Sequence, residues 1–124
     1  MAALRQKEPE LKDMTKYLMN VLGSSLTAYA VGVNETLYLH EWVMGKSVPT
    51  RDQKERLDLL YEVTTKLHLR GDSDATVRAV MIGLNPNFED SQKKTIAERI
   101  HYFTGLDSER REIMGAVGEF LANG

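Results

Sequence analysis

The sequence predicts an all-α fold, and three observations carry that prediction. Apolar residues recur at spacings of three and four through most of the 124-residue chain, the period of a helix with one buried face. Glycines and the cap-forming residues Ser, Thr, Asp and Asn fall between these periodic stretches, where helices have to stop and start. No alternating pattern longer than a few residues supports a strand, and there is no internal repeat or low-complexity tract.

In chain order, a first helix is predicted from Glu10 to Leu22, with Leu11, Met14, Leu18, Val21 and Leu22 on one stripe, Pro9 at its start and Gly23 at its end. Ser24 or Ser25 is expected to cap a short second helix that ends at a Gly32 corner. Asn34 is placed to cap a third helix running to about Met44, with Leu39, Trp42 and Tyr38 as buried support. Its outward set is then Thr36, Leu37, His40, Glu41 and Met44, and Gly45 stops it. A capping box of Thr50 with Gln53 opens a fourth helix, whose Leu57, Leu60, Tyr61, Thr64 and Leu67 repeat at helical spacing until Gly71.

Asp72, Ser73 and Asp74 are expected to cap a fifth helix carrying Val77, Val80, Met81 and Leu84, ended by Asn85, Pro86 and Asn87. A linker through Phe88 and Ser91 leads to a sixth helix with Ile96, Ile100 and Phe103, closed by Gly105. The last helix follows Asp107 and Ser108 and turns Ile113, Val117, Phe120 and Leu121 inward. The organisation expected is a helix-turn-helix domain over residues 1–71 and a small helical subdomain over residues 72–124, with the two halves able to share one core.

Bulk properties narrow the function classes. The absence of cysteine removes disulfides and thiolate metal sites and fits a reducing compartment. No apolar run approaches the roughly 20 residues of a membrane span, and the first residues lack the apolar core of a signal peptide, so a cytoplasmic protein is expected. His40, His68 and His101 lack the helical two-histidine spacing of a metal site, no Gly-x-Ser-x-Gly elbow is present, and IGLNPNFE lacks the glycine and lysine pattern of a phosphate loop. Neither catalysis nor a cofactor is therefore expected. The net charge of −2 gives no global pull toward nucleic acid, and residues 72–124 hold nine acidic against six basic side chains.

Residues 26–49, LTAYAVGVNETLYLHEWVMGKSVP, hold the most informative stretch. Ala28 lies four positions before Gly32, and Leu39 and Trp42 share a face before Gly45. Two helices crossing at a steep angle need a small residue at closest approach and a corner residue that tolerates positive φ. The segment GVNETLYLHEWVMGKSVPTRDQKERLDLLYEVTTKL resembles the lambda-repressor-like, Xre-type helix-turn-helix family, in which an inward tryptophan, a glycine and a proline precede a long fourth helix. TVRAVMIGLNPNFEDSQKKTIAERI followed by EIMGAVGEFLANG resembles the C-terminal half of Xre-type antitoxins that carry a toxin-binding domain. Together the two resemblances run from about Leu18 to Gly124.

What the resemblance implies is a regulator that binds double-stranded DNA and whose second half binds and blocks a partner toxin; a homodimer acting as a repressor by promoter or operator occupancy is expected, because one reader of this size contacts few base pairs. Relatives often carry arginine or polar residues on the outward face of the third helix, where this chain offers Leu37, His40 and Glu41. The candidate DNA contacts are Thr27 and Asn34 to phosphates near helix starts, Thr36 and His40 to base edges, and Lys46 and Arg51 to the backbone. Each also has a plain reading as a cap or a solvated surface group. The candidate partner-binding residues are Phe120, Leu121, Ala122, Asn123 and Gly124, a small-residue end that could enter a partner's cleft. Two alternatives stand beside the regulator: an antitoxin-like antidote whose DNA binding is secondary or lost, and a helical interaction module that keeps only the reader's architecture.

Overall fold

Leu11–Leu22 forms α1 with Met14, Leu18, Val21 and Leu22 buried on the stripe that the spacing predicts. In this computed structural model, which describes residues 9–88 and 92–123, six further helices follow. They are α2 (Ser24–Val31), α3 (Leu37–Met44), α4 (Arg51–Leu69), α5 (Asp74–Ile82), α6 (Ile96–His101) and α7 (Asp107–Asn123), with a 3-10 turn at Pro86–Phe88. No strand occurs among the described residues, and the fold is all-α as expected.

The longest helix, α4, is the hub. It buries Leu57, Leu59, Leu60, Val63, Thr64 and Leu67 and packs on α1, α2, α5, α6 and α7. Its start is fixed by the expected capping box: the Thr50 hydroxyl accepts from the Gln53 amide (3.2 Å), and the Gln53 side chain accepts from the Thr50 amide (2.9 Å). Val77, Met81, Phe88, Ile96, Ile100, Phe103, Ile113, Ala116 and Val117 join the same core as the residues of α1, α2 and α4. Residues 1–71 and 72–124 therefore have no separate interiors among the described residues. The hydrophobic effect that holds the first half is partly supplied by the second.

The corner after α2 forms as expected. Gly32 is left-handed (φ 91°), and the carbonyl of Ala28 accepts from both Gly32 and Val33 at 3.0 Å. Beyond the corner the geometry departs from a close helix pair. Five residues separate α2 from α3, and α3 leans on α1, whereas α2 packs on α1, α4 and α6.

Several local expectations are corrected. Neither Ser24 nor Ser25 caps α2, because Gly23 (φ 87°) ends α1 and opens α2 directly. Asn34 does not cap α3: the helix begins through tight turns in which Tyr38 donates to the Glu35 carbonyl and Leu39 to the Thr36 carbonyl. Tyr38 is 43% exposed rather than buried, since it sits about 100° round α3 from Leu39, the residue buried on the side of α3 that packs on α1. Leu84 lies past the end of α5 and is exposed, whereas Phe88, read as linker, is buried beneath the Arg99 guanidinium at 4.2 Å. The last helix starts at Asp107 itself, before Ser108. Ser91 lies outside the described residues.

Candidate functional site

The side of α3 that faces the protein is closed by Leu39, fully buried, and Trp42, which is nearly so. The opposite side is open. With about 100° between successive residues, Leu37 and Met44 point directly outward, His40 and Glu41 flank them, and Leu37 and Met44 are 56% and 66% exposed. Glu41 is half-buried, and its Oε1 accepts from the Ser47 hydroxyl at 3.0 Å, across the left-handed corner at Gly45 (φ 73°). Sequence spacing does not reveal that contact, because the five intervening positions pass through a reversal of the chain.

The six predicted DNA-contact residues separate on inspection of their surroundings. Thr27 is fully buried, and its hydroxyl points at the carbonyls of Gly23 (2.8 Å) and Leu18 (3.2 Å), so it cannot reach a phosphate and leaves the candidate set. Asn34 is exposed in the bend between α2 and α3, and Thr36 is half-buried at the start of α3. His40 and Lys46 are exposed on α3 and just beyond its end. Arg51 opens α4 with a side chain 91% exposed, its Nε 3.4 Å from Glu55. Asn34, Thr36, His40, Lys46 and Arg51 thus lie on or beside the segment that carries α3.

Elsewhere on the surface several charges meet in pairs. Lys54 meets Asp58 at 2.7 Å, Lys66 meets Glu62 at 3.9 Å, and Arg70 meets Asp72 at 2.9 Å. Arg56 turns inward: its Nε donates to the Phe103 carbonyl (3.2 Å) and its Nη1 to the Val31 carbonyl (3.4 Å), tying the end of α2 to the end of α6. The His68 ring bridges the Tyr17 hydroxyl at Nδ1 (2.6 Å) and the Asp74 carboxylate at Nε2 (2.8 Å), which joins α1, α4 and α5. Burial, aided by Tyr61 and Asp74, raises the Tyr17 phenol above its ordinary value, the opposite of what a reactive phenolate needs. Among the described residues no three His, Asp or Glu side chains gather where a metal ion could sit.

At the C-terminal end the expected small-residue tip is only partly found. Phe120 and Leu121 are helical and half-buried against the core, and Ala122 is exposed. The Asn123 side chain and Gly124 lie outside the described residues. The Phe120 ring is held under the Arg70 guanidinium at 4.6 Å, and Arg70 also donates to the Phe120 carbonyl at 3.4 Å. Between Phe120, the small face of α5 at Ala75 and Ala79, and the turn at Leu84–Pro86 lies a shallow, mainly apolar groove of about 550 Å³. The sequence hid this groove, because its walls come from residues more than thirty positions apart.

Comparison of the chain with family models, curated proteins and solved structures gives no match.

Proposed function

We propose that the protein is a DNA-binding transcriptional regulator of Xre helix-turn-helix type that presents α3 to duplex DNA. The observation that carries this reading is the setting of α3. It is a short helix anchored on one side by Leu39 and Trp42, left uncovered on the other, and bordered by the exposed cations Lys46 and Arg51. A helix with one free face fits the major groove, and cations beside it can neutralise phosphates and set its register. Its small area argues for a homodimer that places two copies of α3 on paired half-sites.

The test is selection of random duplex DNA by the purified protein at two salt concentrations. The expected result is an enriched sequence whose binding weakens as salt rises. Lys46→Ala and Arg51→Ala are each expected to weaken all sequences alike and to reduce the salt slope by about 1. No enrichment at low salt overturns the reading.

A second reading, an antitoxin-like antidote, draws support from the groove beside Phe120. On that reading the C-terminal half grips a partner toxin, and Phe120→Ala is expected to abolish co-purification with a toxin encoded by a neighbouring gene while leaving DNA selection unchanged.

A further inference from the structure

We infer that Glu41 is the specificity-determining residue of α3 and that it reads the amino group of a cytosine, with Leu37 and Met44 set against thymine methyls on either side. The inference rests on the proposed presentation of α3 to the major groove and adds what that face reads. No arginine, lysine, asparagine or glutamine stands among Leu37, His40, Glu41 and Met44, so the side chains that pair bidentately with guanine or adenine are missing from it. What it offers is a carboxylate between two exposed apolar side chains.

The chemistry of the groove edges then restricts the sequence. A carboxylate accepts hydrogen bonds and cannot donate them, so guanine O6 and N7 and thymine O4 repel it. The cytosine N4 amino group is a donor with no acceptor on the same base's groove edge, whereas the adenine amino group has the N7 acceptor beside it. Glu41 is also prepared for one such contact. The Ser47 hydroxyl occupies Oε1 at 3.0 Å, and Oε2 has no partner among the described residues. The bond to Ser47 limits the carboxylate's freedom, which lowers the ordering cost of binding. Leu37 and Met44 are seven residues apart, about 10 Å along the helix. That distance covers about three base steps. The site expected is therefore one cytosine with thymines within about two positions, preferred over other bases there by roughly tenfold.

The experiment is selection from random duplex DNA with the intact protein, with Glu41→Gln and with Glu41→Ala, each confirmed helical by circular dichroism. The wild type is expected to enrich a motif holding a cytosine flanked by thymine. Glu41→Gln is expected to move that one position to adenine, which a glutamine amide pairs through N6 and N7. Glu41→Ala is expected to lose the preference there and to keep the rest of the motif. A wild-type motif without cytosine, or one unchanged by both substitutions, overturns the role of Glu41 while leaving DNA binding intact. Absence of any enriched motif with the wild type overturns the presentation of α3 to DNA, and this inference with it.

Discussion

Thr64 is fully buried in α4, and its hydroxyl finds no hydrogen-bond partner among the described residues. An unpaired buried hydroxyl forfeits its hydration without return. Thr64→Val keeps the shape and is expected to stabilise the protein by about 1 kcal/mol, read as a higher denaturant midpoint at unchanged slope. Gly32 carries two constraints at once. Its φ of 91° disfavours any side chain, and a Cβ would come to 2.7 Å from the Arg56 Nη1 that is pinned to the Val31 carbonyl. Gly45 has a similar φ with nothing within 4 Å. Gly32→Ala is therefore expected to cost more stability than Gly45→Ala, and Arg56→Ala in the same chain is expected to narrow the difference.

Glu109 supplies the pH dependence that the geometry predicts. Burial acts to raise its carboxyl, but the Thr104 hydroxyl, the amides of Thr104 and Leu106, and nearby Arg99 outweigh it and hold the group below its ordinary value. A depressed carboxyl stabilises the fold above its unfolded value, and that contribution is lost as pH falls through the folded value. Thermal unfolding of wild type and Glu109→Gln is expected to differ at neutral pH and to converge as pH falls from the ordinary glutamate range through the depressed folded value.

At the level of elements, the signals that were legible are local in cause. Thr50 and Gln53 cap α4 because three residues of spacing suffice for both bonds. Thr50→Ala is expected to cost about 1 kcal/mol in chemical denaturation. The same grammar at Thr95 and Glu98 caps α6 and was open to the same reading. What periodicity could not show is how many neighbours a helix has. Leu39 and Trp42 follow from spacing alone, but the exposure of Tyr38 depends on α3 having α1 as its one substantial neighbour. Thr27 failed for a related reason: a threonine near a helix start resembles a phosphate-facing cap until the carbonyls of Gly23 and Leu18 are seen to claim its hydroxyl. The candidate site was legible as a segment and hidden in its details, since the Ser47–Glu41 bond and the groove beside Phe120 both come from chain reversals.

Across the whole molecule, the shared core decides how the parts depend on one another. The apolar side chains of α5, α6 and α7 complete the surface that α1, α2 and α4 bury. A chain ending at residue 71 is accordingly expected to lose cooperative unfolding and to bind a hydrophobic dye, while the full chain unfolds in a single transition. If residues 1–71 melt cooperatively alone, the halves are separate domains. No helix among the described residues is long and apolar enough to cross a membrane. With a net charge of −2, any attraction to nucleic acid has to come from local placement around α3 and not from the molecule's overall field.

That placement is the central claim, and it is tested most directly by titrating the isotope-labelled protein with duplex DNA at low salt and following its amide resonances. The account predicts shifts confined to Asn34 through Arg51, strongest at His40, Glu41, Met44 and Lys46, which reverse when salt is added. Shifts that instead gather along the groove between α5 and Phe120, or no shifts at any salt concentration, would contradict it.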